Sequence, residues 1–183
     1  MPRRWHLDPA AERAVYDLHR NDENDPGYRR FLGRAVRPLL ESLDGPSEGL
    51  DFGCGPVPVA AGMIEAEGHR CAVYDPFYRP DRDVLDDPRD FTLSTEVFEH
   101  LAEPGDIFAR LADALRPGGV MVIMTKRVRD RAAFARWHYR HDPTHVAFFS
   151  EATFDWLGQR HGLGLEVIGP DVVRFRAPRL GRP

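Results

Sequence analysis

Leu50-Asp51-Phe52-Gly53-Cys54-Gly55-Pro56-Val57-Pro58 decides the fold. A short strand-forming run ends in two closely spaced glycines, and a helical pattern begins at Val59. Glycines at such a turn let the chain bend sharply and let a ligand approach the main chain. The helix start adds free N–H groups and the positive end of a dipole. Twenty residues after Gly55, Asp75 ends a second strand, Cys71-Ala72-Val73-Tyr74. A carboxylate placed there can accept both hydroxyls of a ribose. The full dinucleotide fingerprint, Gly-x-Gly-x-x-Gly, fails because its third position is Pro58.

Working outward, strands and helices alternate. Upstream, apolar residues at Phe31, Leu32, Ala35, Val36, Leu39, Leu40 and Leu43 form a helical stripe over 28–43, with Pro38 as a kink site. Downstream, Val59 to Ala66 reads as a helix, Val84-Leu85 as a weak third strand and Phe91 to Thr95 as a fourth. A helix over 104–116 stops at Pro117-Gly118-Gly119. Val120-Met121-Val122-Ile123-Met124 is continuously apolar, as a central parallel strand should be. Ser150 caps a further helix. Leu165–Ile168 and Val172–Arg176, joined by Gly169-Pro170-Asp171, must pair antiparallel. This predicts an α/β fold: a seven-stranded Rossmann-like sheet, mostly parallel, with an antiparallel C-terminal hairpin and helices on both faces. The 183 residues suit one domain, with 1–45 as a helical cap segment and 46–183 as the core.

Composition narrows the function. Hydrophobic residues make up 42% and charged residues 30%, ordinary for a chain that buries a core. No apolar run approaches about 18 residues, so no membrane span is expected, and no secretory signal follows the N-terminus. Two cysteines cannot build a disulfide scaffold, which points to the cytoplasm. The net charge of −4 argues against general nucleic-acid binding. Lys126 is the only lysine, a bias of GC-rich, bacterial coding. Acidic residues dominate 81–106, and basic residues dominate 126–140. The basic stretch either draws an anionic acceptor or forms a solvated lid.

These features together resemble the class I S-adenosylmethionine (SAM)-dependent methyltransferases. Their glycine motif is close to Asp/Glu-x-Gly-x-Gly-x-Gly. Asp51, Gly53 and Gly55 match it, and Val57 replaces the third glycine. The likeness continues through Tyr74-Asp75-Pro76, Thr95-Glu96-Val97-Phe98-Glu99-His100-Leu101, Leu115-Arg116-Pro117-Gly118-Gly119 and the terminal hairpin. The resemblance implies SAM as cofactor, with Asp51, Gly53, Cys54 and Gly55 facing its methionine part. Asp75 would hold the ribose, residues near Leu85 and Thr95 would bracket the adenine, and Pro76 and Glu96 would be further cofactor-binding residues. Cys54 reads as a small filler of the turn. Tyr28 and the run containing His19 precede the sheet, in a segment that often folds over the pocket in this family. Its plainer reading is a surface helix.

Two segments carry acceptor-side chemistry. A helix starting near Thr95 would place Glu96, Glu99 and His100 on one face. The second segment is Trp137-His138-Tyr139-Arg140-His141-Asp142-Pro143-Thr144-His145. The pattern is also similar to metal-dependent O-methyltransferases, such as the small-RNA 2′-O-methyltransferases and those of the ubiquinone pathway. That likeness implies Glu96, Glu99, His100 and His145 as ligands of a divalent cation. Without metal, the candidate catalytic groups are Glu96, His141 and His145, a histidine serving as general base. The expected activity is methyl transfer to a small-molecule hydroxyl. The alternatives are a non-catalytic SAM-binding protein, suggested by Val57, and a nucleotide-binding oxidoreductase, against which Pro58 and the hairpin argue.

Overall fold

The computed structural model describes residues 1–18 and 21–179; His19 lies outside them. Its sheet is built from β1 (Glu48–Phe52), β2 (Arg70–Tyr74), β3 (Arg89–Thr95), β4 (Leu115–Met124), β5 (Gly164–Val167) and β6 (Val172–Arg176). The spatial order is β2-β1-β3-β4-β6-β5. β1 to β4 are parallel, and β6 and β5 run antiparallel as the C-terminal hairpin.

Six strands replace the seven expected. Val84-Leu85 is not a strand. Asp83–Leu85 forms a 3-10 turn whose Leu85 is buried in the core. Pro80, Asp81, Asp83, Asp86, Asp87 and Pro88 surround it, and such residues break strands rather than extend them. The glycines before Val120 also differ from the expectation. Pro117-Gly118-Gly119 lies inside β4, where the pairing shifts from Arg89–Leu115 to Phe91–Val120. The extra residues form a bulge, with Gly118 at φ 81°.

Among the described residues six α-helices accompany the sheet: α1 (Pro9–Tyr16), α2 (Pro26–Leu40), α3 (Val59–Glu65), α4 (Pro104–Asp113), α5 (Arg131–Ala135) and α6 (Glu151–Arg160). One core contains Leu50, Phe98, Phe108, Leu111, Phe154 and Phe175. The other joins Leu32, Val36 and Leu39 of α2 with Ile64 of α3 and Phe91, Leu93 and Val122 of the sheet. Burial on both faces explains why Val120–Met124 is apolar throughout. Pro38 stays inside α2, two residues before its end, where its carbonyl accepts from Ser42 and Arg174. Ser150 begins α6 through a capping box with Thr153. No helix of the described residues is long and apolar enough to cross a membrane.

Strand order reverses between β1 and β3. The chain moves from β1 to β2 on one side and returns to β3 on the other. Such a reversal opens a crevice beyond the carboxyl ends of the strands.

Candidate functional site

That crevice is a cavity of about 830 Å³. Its walls come from the ends of β1, β2, β3 and β4, from α1, from the start of α2 and from the segment 138–145. Asp51, Gly53, Cys54, Gly55, Asp75, Pro76, Thr95, Glu96, Glu99, His100 and His145 all line it. Leu85 and His141 do not. Leu85 belongs to the core, and His141 is exposed beside Arg140.

One end is shaped by the main chain. The N–H groups of Gly53 and Cys54 both donate to the Tyr74 carbonyl, at 2.8 and 3.1 Å. The Gly55 N–H donates to Asp75 Oδ2 at 3.0 Å, and Asp75 Oδ1 accepts from Phe77 and Tyr78 N–H. Gly53 and Gly55 have φ of 79° and 68°, where a side chain is strained. A Cβ on Gly53 would sit 2.3 Å from Val97 Cγ2. The β1 turn and the β3 turn therefore meet with no room for a side chain between them.

Asp51 is fully buried, and its Oδ1 has no hydrogen-bond partner. Burial pushes its carboxyl up to about 7. Burial likewise pushes the Cys54 thiol up to about 12, so it stays protonated and unreactive near neutral pH. Val57 is half-buried, packs on the α2–α3 core and lies outside the cavity wall. Its φ is not positive, so the missing third glycine imposes no strain and narrows no space.

The other end is shaped by side chains. The helix expected from Thr95 does not form there. Glu96 adopts φ 52°, held by its N–H to the Met124 carbonyl at 2.7 Å, and a 3-10 turn follows over Phe98–His100. Glu96 and Glu99 do not share a helical face, yet both carboxylates converge on one hydroxyl. Tyr139 Oη donates to Glu99 Oε1 and lies 3.3 Å from Glu96 Oε2. Glu96 Oε1 and Glu99 Oε2 are buried without partners. Burial and the neighbouring Glu99 charge push the Glu96 carboxyl up to about 7, against the pull of Lys126. Burial raises Glu99 as well.

His145 is buried, with Nδ1 donating to the Tyr139 carbonyl at 2.6 Å. Nε2 therefore carries the lone pair, 3.8 Å from Asp142 Oδ2. Burial lowers its pKa, so the ring is neutral near pH 7. Its ring centroid is 4.1 Å from Tyr139 and 4.7 Å from His100. His100 Nδ1 faces the Thr144 carbonyl at 3.2 Å.

These donors fit two guests. A buried, unpartnered Asp51 oxygen beside a glycine turn suits the cationic methionine part of SAM. Glu99, His100 and His145 offer ligand atoms within 4.8 Å of one another, and Glu99 Oε2 lacks a partner. That donor chemistry suits a divalent cation. Glu96 stands outside this group, so four expected ligands reduce to three.

Four further residues join the wall, of which the sequence marks Tyr139 and Lys126 only as members of the 137–145 segment and the basic stretch. Tyr139, Lys126, Glu12 and Tyr16 line the cavity. Tyr16 meets the His100 ring edge-on at 5.3 Å. No spacing in the chain marks Glu12 or Tyr16. His138 also lines the cavity.

A methyltransferase-domain family model matches residues 23–167. No curated protein matches the sequence. Among solved structures, the chain is similar to a SAM-dependent methyltransferase from Archaeoglobus fulgidus, at 14% identity and TM-score 0.64, over 81% of this chain and 94% of that one. It is similar to the 1,6-didemethyltoxoflavin-N1-methyltransferase of Burkholderia thailandensis, solved with bound 1,6-didemethyltoxoflavin and S-adenosylhomocysteine. There the identity is 16% and the TM-score 0.62, over 94% and 92% of the two chains. An O-methyltransferase family protein from Burkholderia thailandensis matches at 14% identity and TM-score 0.61, over 98% of this chain and 63% of that one. Likeness at such identities speaks for the fold, whereas the family match covers most of the sequence. The chain belongs to the methyltransferase-domain family.

Proposed function

We propose that the protein transfers a methyl group from SAM to a hydroxyl of a small molecule, as a single-domain enzyme of the cytoplasm. The observation that carries this reading is one cavity with two differently built ends. A glycine turn braced by Asp75 forms one end, and the His145–Tyr139–Glu99 cluster forms the other. Both cysteines are free and buried, which suits a reducing compartment.

SAM, when bound, supplies an already activated methyl group. The protein's share is alignment, exclusion of water and removal of the acceptor proton. Asp51 and the Gly53–Gly55 turn hold the methionine part, and Asp75 holds the ribose. The α1 residues Glu12 and Tyr16 close the cavity from above. His145, neutral and fixed through Nδ1, takes the acceptor proton at Nε2. Tyr139 holds Glu96 and Glu99 beside it. His141, exposed and off the wall, has no part.

A second reading places a divalent cation on Glu99, His100 and His145, favoured by the clustering of their donors within 4.8 Å. The cation would lower the pKa of a coordinated hydroxyl. Chelation separates the two readings. On a hydroxyl acceptor, the metal-free enzyme ignores chelator and loses about 10²–10⁴-fold in turnover in His145→Ala, with S-adenosylhomocysteine affinity intact. A metal enzyme is silenced by chelator, and Glu99→Ala with His100→Ala reproduces that silence. Full activity in both His145→Ala and Glu99→Ala would remove the chemistry from this end altogether.

A further inference from the structure

A second concavity, of about 280 Å³, opens beside the acceptor end, between the end of β4 and α5. Arg127, Arg129, Arg136, Phe134 and Trp137 line it. It shares a wall with the main cavity. Lys126 and His138 face the main cavity, while their chain neighbours Arg127 and Trp137 face the small one. Trp137 is the partition. Its ring stacks on Tyr139 at 4.9 Å and 29°, and Tyr139 carries the hydroxyl shared by Glu96 and Glu99.

Three arginines line one small space, two of them exposed, so their like charges are met by water, and an anion placed among them gains from all three. Several arginines elsewhere in the chain have carboxylate partners, such as Arg34 with Asp171 and Arg174 with Glu166. Among the described residues, no ion pair involves Arg127, Arg129 or Arg136. Asp130, the acid within this stretch, has its Oδ1 engaged by the Ala133 N–H as the cap of α5, while Glu151 and Asp171 act on Arg127 alone from farther along the chain. Arg127 is oriented in advance, donating to the carbonyls of Val172 (3.2 Å) and Gly169. A guanidinium has five N–H donors, so Arg127 keeps others for a ligand. The net charge of the chain is negative, so this cluster is a local reversal of sign.

We infer that this arginine pocket is an anion subsite that holds a phosphoryl group carried by the methyl acceptor. A phosphoryl group has the charge and the acceptor oxygens to engage several guanidiniums, and the arginine fork matches its geometry. Phe134 and Trp137 supply apolar faces for the part of the acceptor that leads over the partition to the main cavity. The inference rests on the methyl-transfer reading for its second half and stands apart from it in its first.

The test uses Trp137 as reporter. The protein has three tryptophans, and Trp5 and Trp156 are exposed, so Trp5→Phe with Trp156→Phe leaves Trp137 alone at little cost in stability. Inorganic phosphate, titrated at constant ionic strength, should change its emission saturably, and chloride should not. Arg129→Gln with Arg136→Gln, both at exposed positions, should raise the half-saturation concentration about tenfold or more, the loss of one charged hydrogen bond or better. A simple phosphomonoester should compete at least as well as free phosphate. Absence of a saturable change, or equal binding in the double variant, overturns the site. Binding of free phosphate with exclusion of phosphomonoesters overturns the link to the acceptor. S-adenosylhomocysteine affinity, measured on the same samples, fails only if the methyl-transfer reading fails.

Discussion

The two ends of the cavity are made of different material. At the β1–β2 end, main-chain amides do the shaping, and three of them converge on the Asp75 carboxylate. At the β3–β4 end, side chains from distant positions meet: Glu96 and Glu99 after β3, Tyr139 and His145 beyond β4. A main-chain site depends on a few dihedrals and is robust to the identity of neighbours. A side-chain site depends on every member being present, and its polar groups are buried at a cost unless satisfied. The difference fits a division of labour in which one end holds a constant cofactor and the other adapts to an acceptor.

The largest contrast is expected from Asp75→Ala. It should weaken S-adenosylhomocysteine binding by about 1–3 kcal/mol through the loss of charged hydrogen bonds. Calorimetry checks the affinity. The thermal midpoint should fall too, because three amides lose their acceptor. A variant of the other end that weakened the cofactor as much would break the division.

A smaller effect, with a definite sign, belongs to Asp51. Its carboxyl titrates at about 7 in the folded chain against an ordinary 3.8. The folded state thus keeps a proton that the unfolded chain releases, and stability drops as pH rises from 3.8 to about 7. Asp51→Asn removes that dependence. Relative to the parent, its midpoint should rise through this window and level off above it, as melting curves across pH would show. The parent should also release a proton when SAM's cationic part pairs with Asp51 near neutral pH. A pH-independent difference between the two proteins would mean that Asp51 is ionised throughout.

The smallest effect is expected from Val57→Gly. Val57 stands where the family motif has glycine, yet it lies off the cavity wall with ordinary φ. Restoring the glycine should leave SAM affinity within about twofold and cost about 0.5–1 kcal/mol of stability from added chain entropy. A large gain in affinity would revive the reading of a binding protein crippled as an enzyme.

The same contrast explains what could be read without coordinates. The Gly53–Gly55 turn was legible because only glycine tolerates φ near 70–80° there, and spacing alone reveals it. Ser150 was legible as a helix start for a similarly local reason, its side chain accepting from Thr153 N–H. The hairpin followed from a link too short for a crossover. By contrast, Tyr139 reaches Glu99 across 40 residues of chain, and no local pattern records such a meeting. The segment after Thr95 has helical spacing but forms only a 3-10 turn over Phe98–His100. Glu96 instead takes a left-handed conformation, rare for a residue with a side chain, and such outliers gather at functional sites. Val84-Leu85 misled because two apolar residues suit a buried 3-10 turn as well as a strand.

The glycine-turn end is proposed as the SAM site. Titration of the folded parent protein with S-adenosylhomocysteine in a calorimeter tests this most directly. One saturable site per chain is predicted, retained in His145→Ala and weakened in Asp75→Ala. Absence of binding to well-folded parent protein, or binding indifferent to Asp75, would contradict it.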